Sequence, residues 1–276
     1  MLNFPIIDAH THVLDARILT DYTHRAPYQP RWILAFHNWA QKVGPPYYTL
    51  EQVLAFARQH PHIKVVACIN LHQHNVHEHR VLIAGIQEGL IVGIKFLLGY
   101  QHFYAHDPRV VRMLKVCQRY DIPAVFHTGD CSARGDPLVK YAHPLHLDEL
   151  ATQCPDVTIV MAHLGFPWLL EAAMVVCKHP NMYADMSGWL DAPPPPREIE
   201  TRADMIAEFA HDLRSVVRKY PALVDKLMFG TDYSGEHSHL TEVTGYVDIA
   251  QTVFRYPDDL AKVMYQNASR AFNLPV

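Results

Sequence analysis

The sequence lacks the features that would place it in several large classes of protein. None of its apolar stretches reaches the roughly 18 residues that a membrane-spanning helix needs. Its N-terminus also shows no basic segment followed by an apolar one, as a secretory signal would. No run of lysine and arginine stands out, and the formal net charge is −4. We therefore expect neither a membrane nor a nucleic acid as a partner.

Cysteine is scarce and scattered. The 276 residues contain five cysteines, an odd number, and none of them forms a Cys-x-x-Cys pair. This pattern argues against a disulfide framework or a zinc knuckle and is typical of reduced thiols in a cytoplasmic protein. Hydrophobic residues make up 49% of the chain, which is ample for a core. Because no linker or repeat divides the sequence, residues 1–276 are predicted to form one domain.

Apolar runs of strand length alternate with amphipathic segments of helix length. This alternation predicts parallel strands covered by helices, and at this chain length it favours a (β/α)8 TIM barrel. Seven strands are predicted, at Pro5–His12, Lys64–Leu71, Val92–Leu98, Pro123–Thr128, Val157–His163, Met182–Ser187 and Lys226–Thr231. Helices are predicted at about 49–60, 78–89, 108–120, 146–154, 167–178, 199–219, 239–254 and 257–272. The eighth strand is either Trp32–Phe36 or within 188–225, unless the barrel is distorted.

Two histidines end the first predicted strand, in the sequence Asp8-Ala9-His10-Thr11-His12. Residues i and i+2 of a strand point to the same side, so both imidazoles would converge at the carboxyl end, where parallel barrels keep their chemistry. Imidazole is the commonest ligand of a catalytic divalent metal. Asp8 either orients one of these imidazoles or satisfies polar groups at the strand end. Because His-x-His occurs four times in this chain, the spacing alone is weak evidence.

Other strands also end in residues that bind metals or move protons. His127 and His163 follow two middle strands, and Asp232 follows the last one. Lys95 lies inside an otherwise apolar strand. Each of these residues alone could be a cap or a loop residue, but together they predict one site at the carboxyl ends of the strands.

Four motifs in order along the chain resemble the amidohydrolase superfamily, in particular its "amidohydrolase 2" branch, which includes aminocarboxymuconate-semialdehyde decarboxylase. They are Asp-Ala-His-Thr-His (8–12), Ala-His-Leu-Gly-Phe-Pro-Trp (162–168), Phe-Gly-Thr-Asp-Tyr (229–233) and Asn-Ala-Ser-Arg-Ala-Phe-Asn-Leu (267–274). The resemblance covers nearly the whole chain. It implies a barrel enzyme that uses a bound metal.

The resemblance implies the ligand set. His10, His12 and Asp232 are expected to bind the metal, since imidazoles and a carboxylate suit a catalytic zinc that keeps a water position open. The branch also implies His163 as a ligand and one ion rather than two. His127 is a further ligand or a substrate contact, and Asp232 is the expected general base. Lys95 either bridges a second metal, as in two-metal members, or has a substrate-anion or structural role.

Residues in the loops after the strands are candidates for contact with a small-molecule substrate. They are His72, His74, His102, Arg134 and Trp189. Arg134 could pair with a carboxylate, although surface solvation is the alternative. The aromatic and histidine content of these loops predicts a partly apolar pocket. A homo-oligomer is left open.

Three functions follow in order of preference. The first is a metal-dependent hydrolase of a small amide, lactone or other ester. The second is a non-oxidative decarboxylase of a small aromatic or unsaturated acid, which would use the same metal. The third is a non-enzymatic barrel that binds a metal or a metabolite.

Overall fold

The structure is a computed structural model and describes residues 4–37, 48–131, 136–190, 202–235 and 242–276. Within these residues, eight parallel strands form one sheet in which each strand pairs with the next along the chain. They are β1 (Ile7–Thr11), β2 (Trp32–Phe36), β3 (Ile63–Cys68), β4 (Ile91–Phe96), β5 (Ala124–Phe126), β6 (Ile159–Met161), β7 (Met182–Asp185) and β8 (Leu227–Met228). The predicted (β/α)8 TIM barrel is confirmed, and the eighth strand is the candidate at Trp32–Phe36.

Backbone hydrogen bonds between the first and last strands close the barrel. The N–H of Ala9 donates to the carbonyl of Phe229 over 3.0 Å, and the N–H of His12 donates to the carbonyl of Tyr233 over 2.6 Å. A parallel bridge also joins Thr11 to Tyr233. Closure therefore continues beyond the short strand β8 into the segment that carries Asp232.

The helices lie between and after the strands. They are α1 (Ala16–Arg25), α2 (Leu50–Gln59), α3 (Val76–Gln87), α4 (Leu98–Gln101), α5 (Pro108–Tyr120), α6 (His146–Gln153), α7 (Leu169–Lys178), α8 (Arg202–Lys219), α9 (Glu242–Val253), α10 (Pro257–Ala261) and α11 (Asn267–Ala271). A π-helical segment, Lys262–Gln266, joins the last two. The predicted helix starts at 199–201 and 239–241 lie outside the described residues. No helix of the described residues is long and apolar enough to cross a membrane.

Helix α1 was not predicted from the sequence, and its N-cap explains why it forms. The side chain of Asp15 accepts hydrogen bonds from the backbone N–H groups of Arg17 and Ile18. These bonds satisfy two of the donors that a helix start leaves unpaired. Residues Ile18, Leu19 and Tyr22 then face the core.

The barrel has an apolar interior that is separate from the layer under the helices. The interior cluster takes residues from seven strands and from the C-terminal segment; it includes Leu34, Val66, Val125, Val160 and Phe272. Residues next to these in the same strands, such as Ile33 and Val65, pack in a second cluster with the helices. This two-sided burial explains why the strands read as continuous apolar runs.

An irregularity in β1 directs the side chain of His10. Asp8 pairs with Ile33, whereas Thr11 pairs with Ala35, so β1 has one residue more than β2 across this interval. A bulge of this kind shifts the alternation of side chains between the two faces. Ala9 lies in the interior cluster, and the ring of His10 stacks on Phe36 of the same cluster with 3.8 Å between ring centroids. The extra residue thus turns consecutive positions of β1 towards the inside of the barrel.

Candidate metal centre

The six residues predicted for the metal site lie together at the carboxyl ends of the strands. His10 Nε2 and His12 Nε2 lie 3.3 and 3.2 Å from Asp232 Oδ1. His163 Nε2 lies 3.2 Å from His127 Nδ1. The Nζ atom of Lys95, on β4, lies 3.5 Å from His10 Nε2. Their roles in metal binding and catalysis stay predictions, but the structure brings these side chains to one place.

The partners of the outer ring nitrogens determine which nitrogen of each imidazole carries the proton. His12 Nδ1 lies 2.8 Å from the carbonyl of Phe36, and His127 Nε2 lies 2.9 Å from the carbonyl of Asp130. A carbonyl only accepts, so both nitrogens must donate. In a neutral ring the inner nitrogen then holds a lone pair. His12 Nε2 and His127 Nδ1 are therefore free to bind a cation.

The same reasoning applies to His10 and His163. His10 Nδ1 lies 3.0 Å from the carboxylate atom Oδ2 of Asp185, which accepts its proton. His163 Nδ1 lies 3.2 Å from the carbonyl oxygen of Ser187 and 3.0 Å from its hydroxyl. The Nε2 atoms of both rings are consequently acceptors in the neutral state. All four imidazoles present lone pairs to the centre.

Most of the atoms that face the centre are acceptors, and the Lys95 ammonium, 3.5 Å from His10 Nε2, is the donor among the six residues. Asp232 Oδ1 is buried and has no hydrogen-bond donor, although two imidazole nitrogens lie close to it. A buried polar atom without a partner is costly. In a tetrahedral zinc site, each nitrogen or oxygen ligand lies ~2.1 Å from the metal ion. Neighbouring ligand atoms are then about 3.4 Å apart. The observed separations of 3.2–3.3 Å match such edges, so these residues fit a divalent metal ion.

Burial holds the imidazoles of His10, His127 and His163 in the neutral form that binds metals. It lowers the pKa of His163 to about 4 and that of His127 well below its usual value. Burial likewise lowers the pKa of His10, assisted by the charge of Lys95. It also lowers the pKa of the Lys95 ammonium to about 8, against the attraction of Asp185 and the other carboxylate of the site. Neutral imidazoles at neutral pH are what a metal site requires.

Two of the candidate ligands have left-handed backbone conformations. The φ angles are 63° at His163 and 57° at Asp232, and Leu164 follows with 40°. Such conformations are uncommon in residues other than glycine and cluster at functional sites. The N–H of Asp232 donates to the carbonyl of His10 over 2.7 Å, which holds one of these turns against β1.

Gly188 makes room for the ring of His163. A Cβ atom at this position would lie 2.5 Å from His163 Nδ1, and the φ of the glycine is +77°. We expect Gly188→Ala to displace the ring, to weaken zinc binding and to lower the free energy of unfolding by roughly 1–3 kcal/mol. Zinc titration and denaturant unfolding measure the two effects.

Gly89→Ala is the matched control for this prediction. Gly89 also has a positive φ, +68°, but a Cβ atom there would meet no atom within 4 Å. The control should lose stability through backbone strain alone and keep its zinc affinity. Equal zinc affinity in both variants would contradict the role given to Gly188.

Asp8 ties β1 to the segment after β8. Its carboxylate accepts hydrogen bonds from the N–H and the hydroxyl of Thr231, over 3.1 and 2.8 Å, and from the hydroxyl of Tyr22 over 2.8 Å. The hydrogen bonds of Asp8 that the structure describes include no imidazole ring. Of the two roles considered for Asp8, the structure thus favours the satisfaction of polar groups at the strand end.

The burial of Asp8 predicts a pH-dependent stability. Burial raises the pKa of this carboxyl from its usual 3.8 to about 7, against the hydrogen bonds from Thr231 and Tyr22. Since the folded state holds the proton more tightly, this contribution to stability is complete below about pH 4 and is lost as the pH rises through about 7. Asp8→Asn should remove this dependence. Unfolding free energies of both proteins, measured across this range, check it; parallel curves would contradict it.

The residues predicted to contact substrate lie in several places. His72 Nε2 donates to the carbonyl of Gln101 over 3.0 Å, and His102 Nε2 donates to that of Asp136 over 2.7 Å. His74 lines a separate cavity of about 450 Å³ between the ends of β2 and β3 and the starts of α2 and α3, and none of the six metal-site residues lines this cavity. Arg134 lies outside the described residues. The substrate roles of all these residues stay predictions.

Trp189 contacts the backbone of His163. Its side chain is buried, and its indole N–H donates to the carbonyl of His163 over 2.8 Å. The backbone N–H of Trp189 donates to the hydroxyl of Tyr246 over 2.6 Å. The described contacts of Trp189 therefore help to hold the backbone of His163. The predicted contact of Trp189 with substrate is not tested.

Asp185 and Ser187 are residues of the centre that the sequence reasoning missed. Both are nearly inaccessible to solvent, and both contact His10 Nδ1, over 3.0 Å from Asp185 and 3.1 Å from Ser187. Burial raises the pKa of the Asp185 carboxyl, but attraction to His10 and the hydrogen bond from that ring outweigh burial and hold it well below its usual range. Polar residues at the end of the predicted strand Met182–Ser187 were the available signal.

Sequence comparison identifies the family of the chain. A model of the family described as Amidohydrolase matches residues 7–274. The chain belongs to the amidohydrolase family. Among curated proteins, Protein fluG of Emericella nidulans is 34% identical over 64 residues. That match covers 23% of this chain and 7% of fluG, so the chain spans a small part of that relative's length.

Three solved structures share the fold. A probable 2-pyrone-4,6-dicarboxylic acid hydrolase from Acinetobacter baumannii, with citric acid bound, has a TM-score of 0.67 at 14% identity and covers 98% of this chain and 100% of its own. An amidohydrolase from Burkholderia multivorans with bound zinc has 0.65 at 15%, covering 99% and 100%. A 2,6-dihydroxybenzoate decarboxylase from Rhizobium has 0.61 at 13%, covering 98% and 99%. Two hydrolytic enzymes and a decarboxylase, as they are described, thus share this fold.

Proposed function

We propose that this amidohydrolase is a metal-dependent hydrolase that cleaves an amide, a lactone or another ester of a small molecule. The observation that carries the proposal is the convergence of imidazole lone pairs on the buried, donor-free Oδ1 atom of Asp232. Neutral imidazoles together with a carboxylate favour zinc. Among the described residues, one group of three potential ligands, His10, His163 and Asp232, has its ligand atoms within 4.8 Å of one another, which supports one ion.

Some residues of the centre would bind the metal ion and others would take part in the reaction, and Asp232 would do both. His10, His12, His163 and Asp232 would hold the ion, and His127 would be a further ligand or a contact to the substrate. A cation in this position polarises a substrate carbonyl and lowers the pKa of a water molecule. The side chain of His10 is 2% exposed, whereas that of Asp232 is 17% exposed. Asp232 therefore lies where a substrate and water can reach it.

Asp232 is proposed as the general base. Its carboxylate takes the proton of the attacking water and then delivers it to the leaving nitrogen or oxygen. Burial raises the pKa of this carboxyl, whereas the charge that His10 and the neighbouring imidazoles carry when protonated lowers it well below its usual value. With neutral imidazoles, a bound cation would keep the carboxylate ionised. The ammonium of Lys95 is buried 3.5 Å from His10 Nε2, the nitrogen that also faces Asp232, and would attract an anionic group of the substrate or its developing oxyanion. Its alternative role as a bridge to a second metal is untested.

Other aspects of the proposal rest on composition. All five cysteines are among the described residues and none forms a disulfide, which supports a cytoplasmic location. A small-molecule substrate agrees with a site at the carboxyl ends of the strands, where loops select the substrate.

Two panels of compounds test the reaction. The protein is loaded with zinc and incubated with lactones and amides in one panel and hydroxybenzoates in the other; metal-stripped protein is the control. Hydrolysis of a lactone or an amide that stops when the metal is removed would support the proposal. Release of carbon dioxide from a hydroxybenzoate would overturn it in favour of the decarboxylase. Bound zinc with neither reaction would favour a non-enzymatic barrel.

A further inference from the structure

The segment that follows β7, residues Asp185–Trp189, surrounds His163. The backbone N–H of His163 donates to Asp185 Oδ1 over 3.0 Å, and its Nδ1–H points to the two oxygens of Ser187. The carbonyl of His163 accepts from the indole of Trp189, and Gly188 leaves space for the ring. Hydrogen bonds to three residues of this segment therefore hold a residue whose own backbone is in an unfavourable conformation.

Asp185 also reaches a second candidate ligand. Its Oδ2 atom accepts the Nδ1 proton of His10, while its Oδ1 atom accepts from the N–H of His163 and from the N–H and the hydroxyl of Ser187. The residue is 1% exposed. In each of these hydrogen bonds, the carboxylate of Asp185 is the acceptor.

We propose that the segment Asp185–Trp189 is the positioning device of the metal centre and that Asp185 sets the tautomer of His10. The proposal rests on the metal-binding function proposed above. Asp185 acts through the imidazoles and is a positioning residue. By accepting the Nδ1 proton of His10, it forces the lone pair onto Nε2, the nitrogen that faces Asp232 and Lys95. By accepting the backbone N–H of His163, Asp185 also fixes the position of His163 relative to His10.

An isosteric substitution separates this role from simple packing. Asp185→Asn keeps the size of the side chain but turns one acceptor into a donor. If the amide nitrogen replaced Oδ1, it would face the N–H groups of His163 and Ser187, which cannot accept. The less costly orientation directs the amide nitrogen at His10 Nδ1. His10 must then accept on Nδ1, and its proton moves to Nε2.

Nitrogen NMR of the metal-free protein reads this tautomer directly. Protein labelled with ¹⁵N-histidine is compared with its Asp185→Asn variant at a pH where the imidazoles are neutral, and the signals of His10 are assigned by their absence in a His10 variant. We expect protonated Nδ1 in the wild type and protonated Nε2 in Asp185→Asn. Zinc affinity, measured by competition with a chelator, should fall about 10–100-fold.

Asp8→Asn is the matched control. Asp8 is as deeply buried as Asp185 and lies two residues before His10, but its carboxylate bonds the backbone and hydroxyl groups described above. This control should keep the His10 tautomer and the zinc affinity. An unchanged His10 tautomer in Asp185→Asn would overturn the proposal, and so would an equal loss of zinc affinity in both variants.

Trp189→Phe keeps the test decisive if Asp185→Asn does not fold. This variant retains the aromatic ring and removes the N–H that donates to the carbonyl of His163. We expect zinc affinity to fall several-fold while the His10 tautomer stays unchanged; unaltered affinity would overturn the positioning role of the segment. If the wild type binds no zinc, the proposed function fails, whereas the tautomer of the metal-free protein still decides whether Asp185 sets it.

Discussion

Asp232→Asn is expected to lower kcat by about 10²–10⁴-fold, the range typical of losing a general acid–base group. The asparagine keeps the size of the side chain and one oxygen that can face the metal. It cannot take a proton from water, and it removes the negative charge that faces His10 and His12. The loss should appear mainly in kcat, because the substituted side chain acts in the reaction rather than in substrate binding.

Steady-state kinetics of the zinc-loaded variant on the substrate found in the panel assay measure this effect. Asp156→Asn is the matched control, since it makes the same chemical change at an exposed aspartate before β6, at the other end of the barrel. The control should keep the kcat of the wild type. An Asp232→Asn variant that binds zinc and keeps more than a tenth of the activity would show that another group is the base.

His10→Gln is expected to reduce zinc affinity by more than the roughly 10–100-fold that follows the loss of an outer partner. His10 is the most enclosed of the candidate ligands, at 1% exposure, and its ring stacks on Phe36. Its Nε2 atom is one of the two nitrogens near the unpaired oxygen of Asp232. Without the His10 ring, the metal ion loses one ligand. The Oδ1 atom of Asp232 loses one of the two nitrogens that lie near it.

Zinc content after dialysis and competition with a chelator measure the loss. His77→Gln is the control, because the side chain of His77 is 75% exposed and pairs with Glu51 away from the centre. Circular dichroism of the metal-free proteins shows whether the fold is kept. Zinc affinity equal to that of the wild type in a folded His10→Gln variant would remove His10 from the ligand set.

The fold and the gathering of the site were predictable because they depend on periodicity and on strand ends. Continuous apolar runs indicated strands buried on both faces, and a parallel barrel brings the ends of all its strands to one rim. His127, His163 and Asp232 are far apart in sequence, yet each lies within four residues of the end of a strand. Their meeting follows from the topology alone.

The detailed arrangement of side chains and protons within the site was not predictable from the sequence. The alternation rule applied to β1 takes no account of the extra residue between Asp8 and Thr11, which changes the face of the residues that follow it. The tautomers depend on single carbonyl groups, such as that of Phe36 for His12, which no side-chain pattern reveals. Asp185 was overlooked because its partner His10 is 175 residues away.

Lys95 shows the same division between position and role. Its place inside β4 and beside the centre follows from the barrel, and its Nζ atom lies near His10 as expected for a lysine on an inward face. Whether Lys95 contacts a substrate anion or bridges a second metal depends on which species binds at the site. The sequence does not identify that species. The structure adds that the ammonium also lies 4.8 Å from the ring centroid of Phe36, a contact that favours a cation.

The most direct test of the account is anomalous diffraction from crystals of the protein grown with zinc. The account predicts one anomalous peak per chain, within bonding distance of His10 Nε2, His12 Nε2, His163 Nε2 and Asp232, with the Nδ1 atom of His10 still bonded to Asp185. A zinc peak elsewhere, or a protein that keeps full activity when no metal is bound, would contradict it.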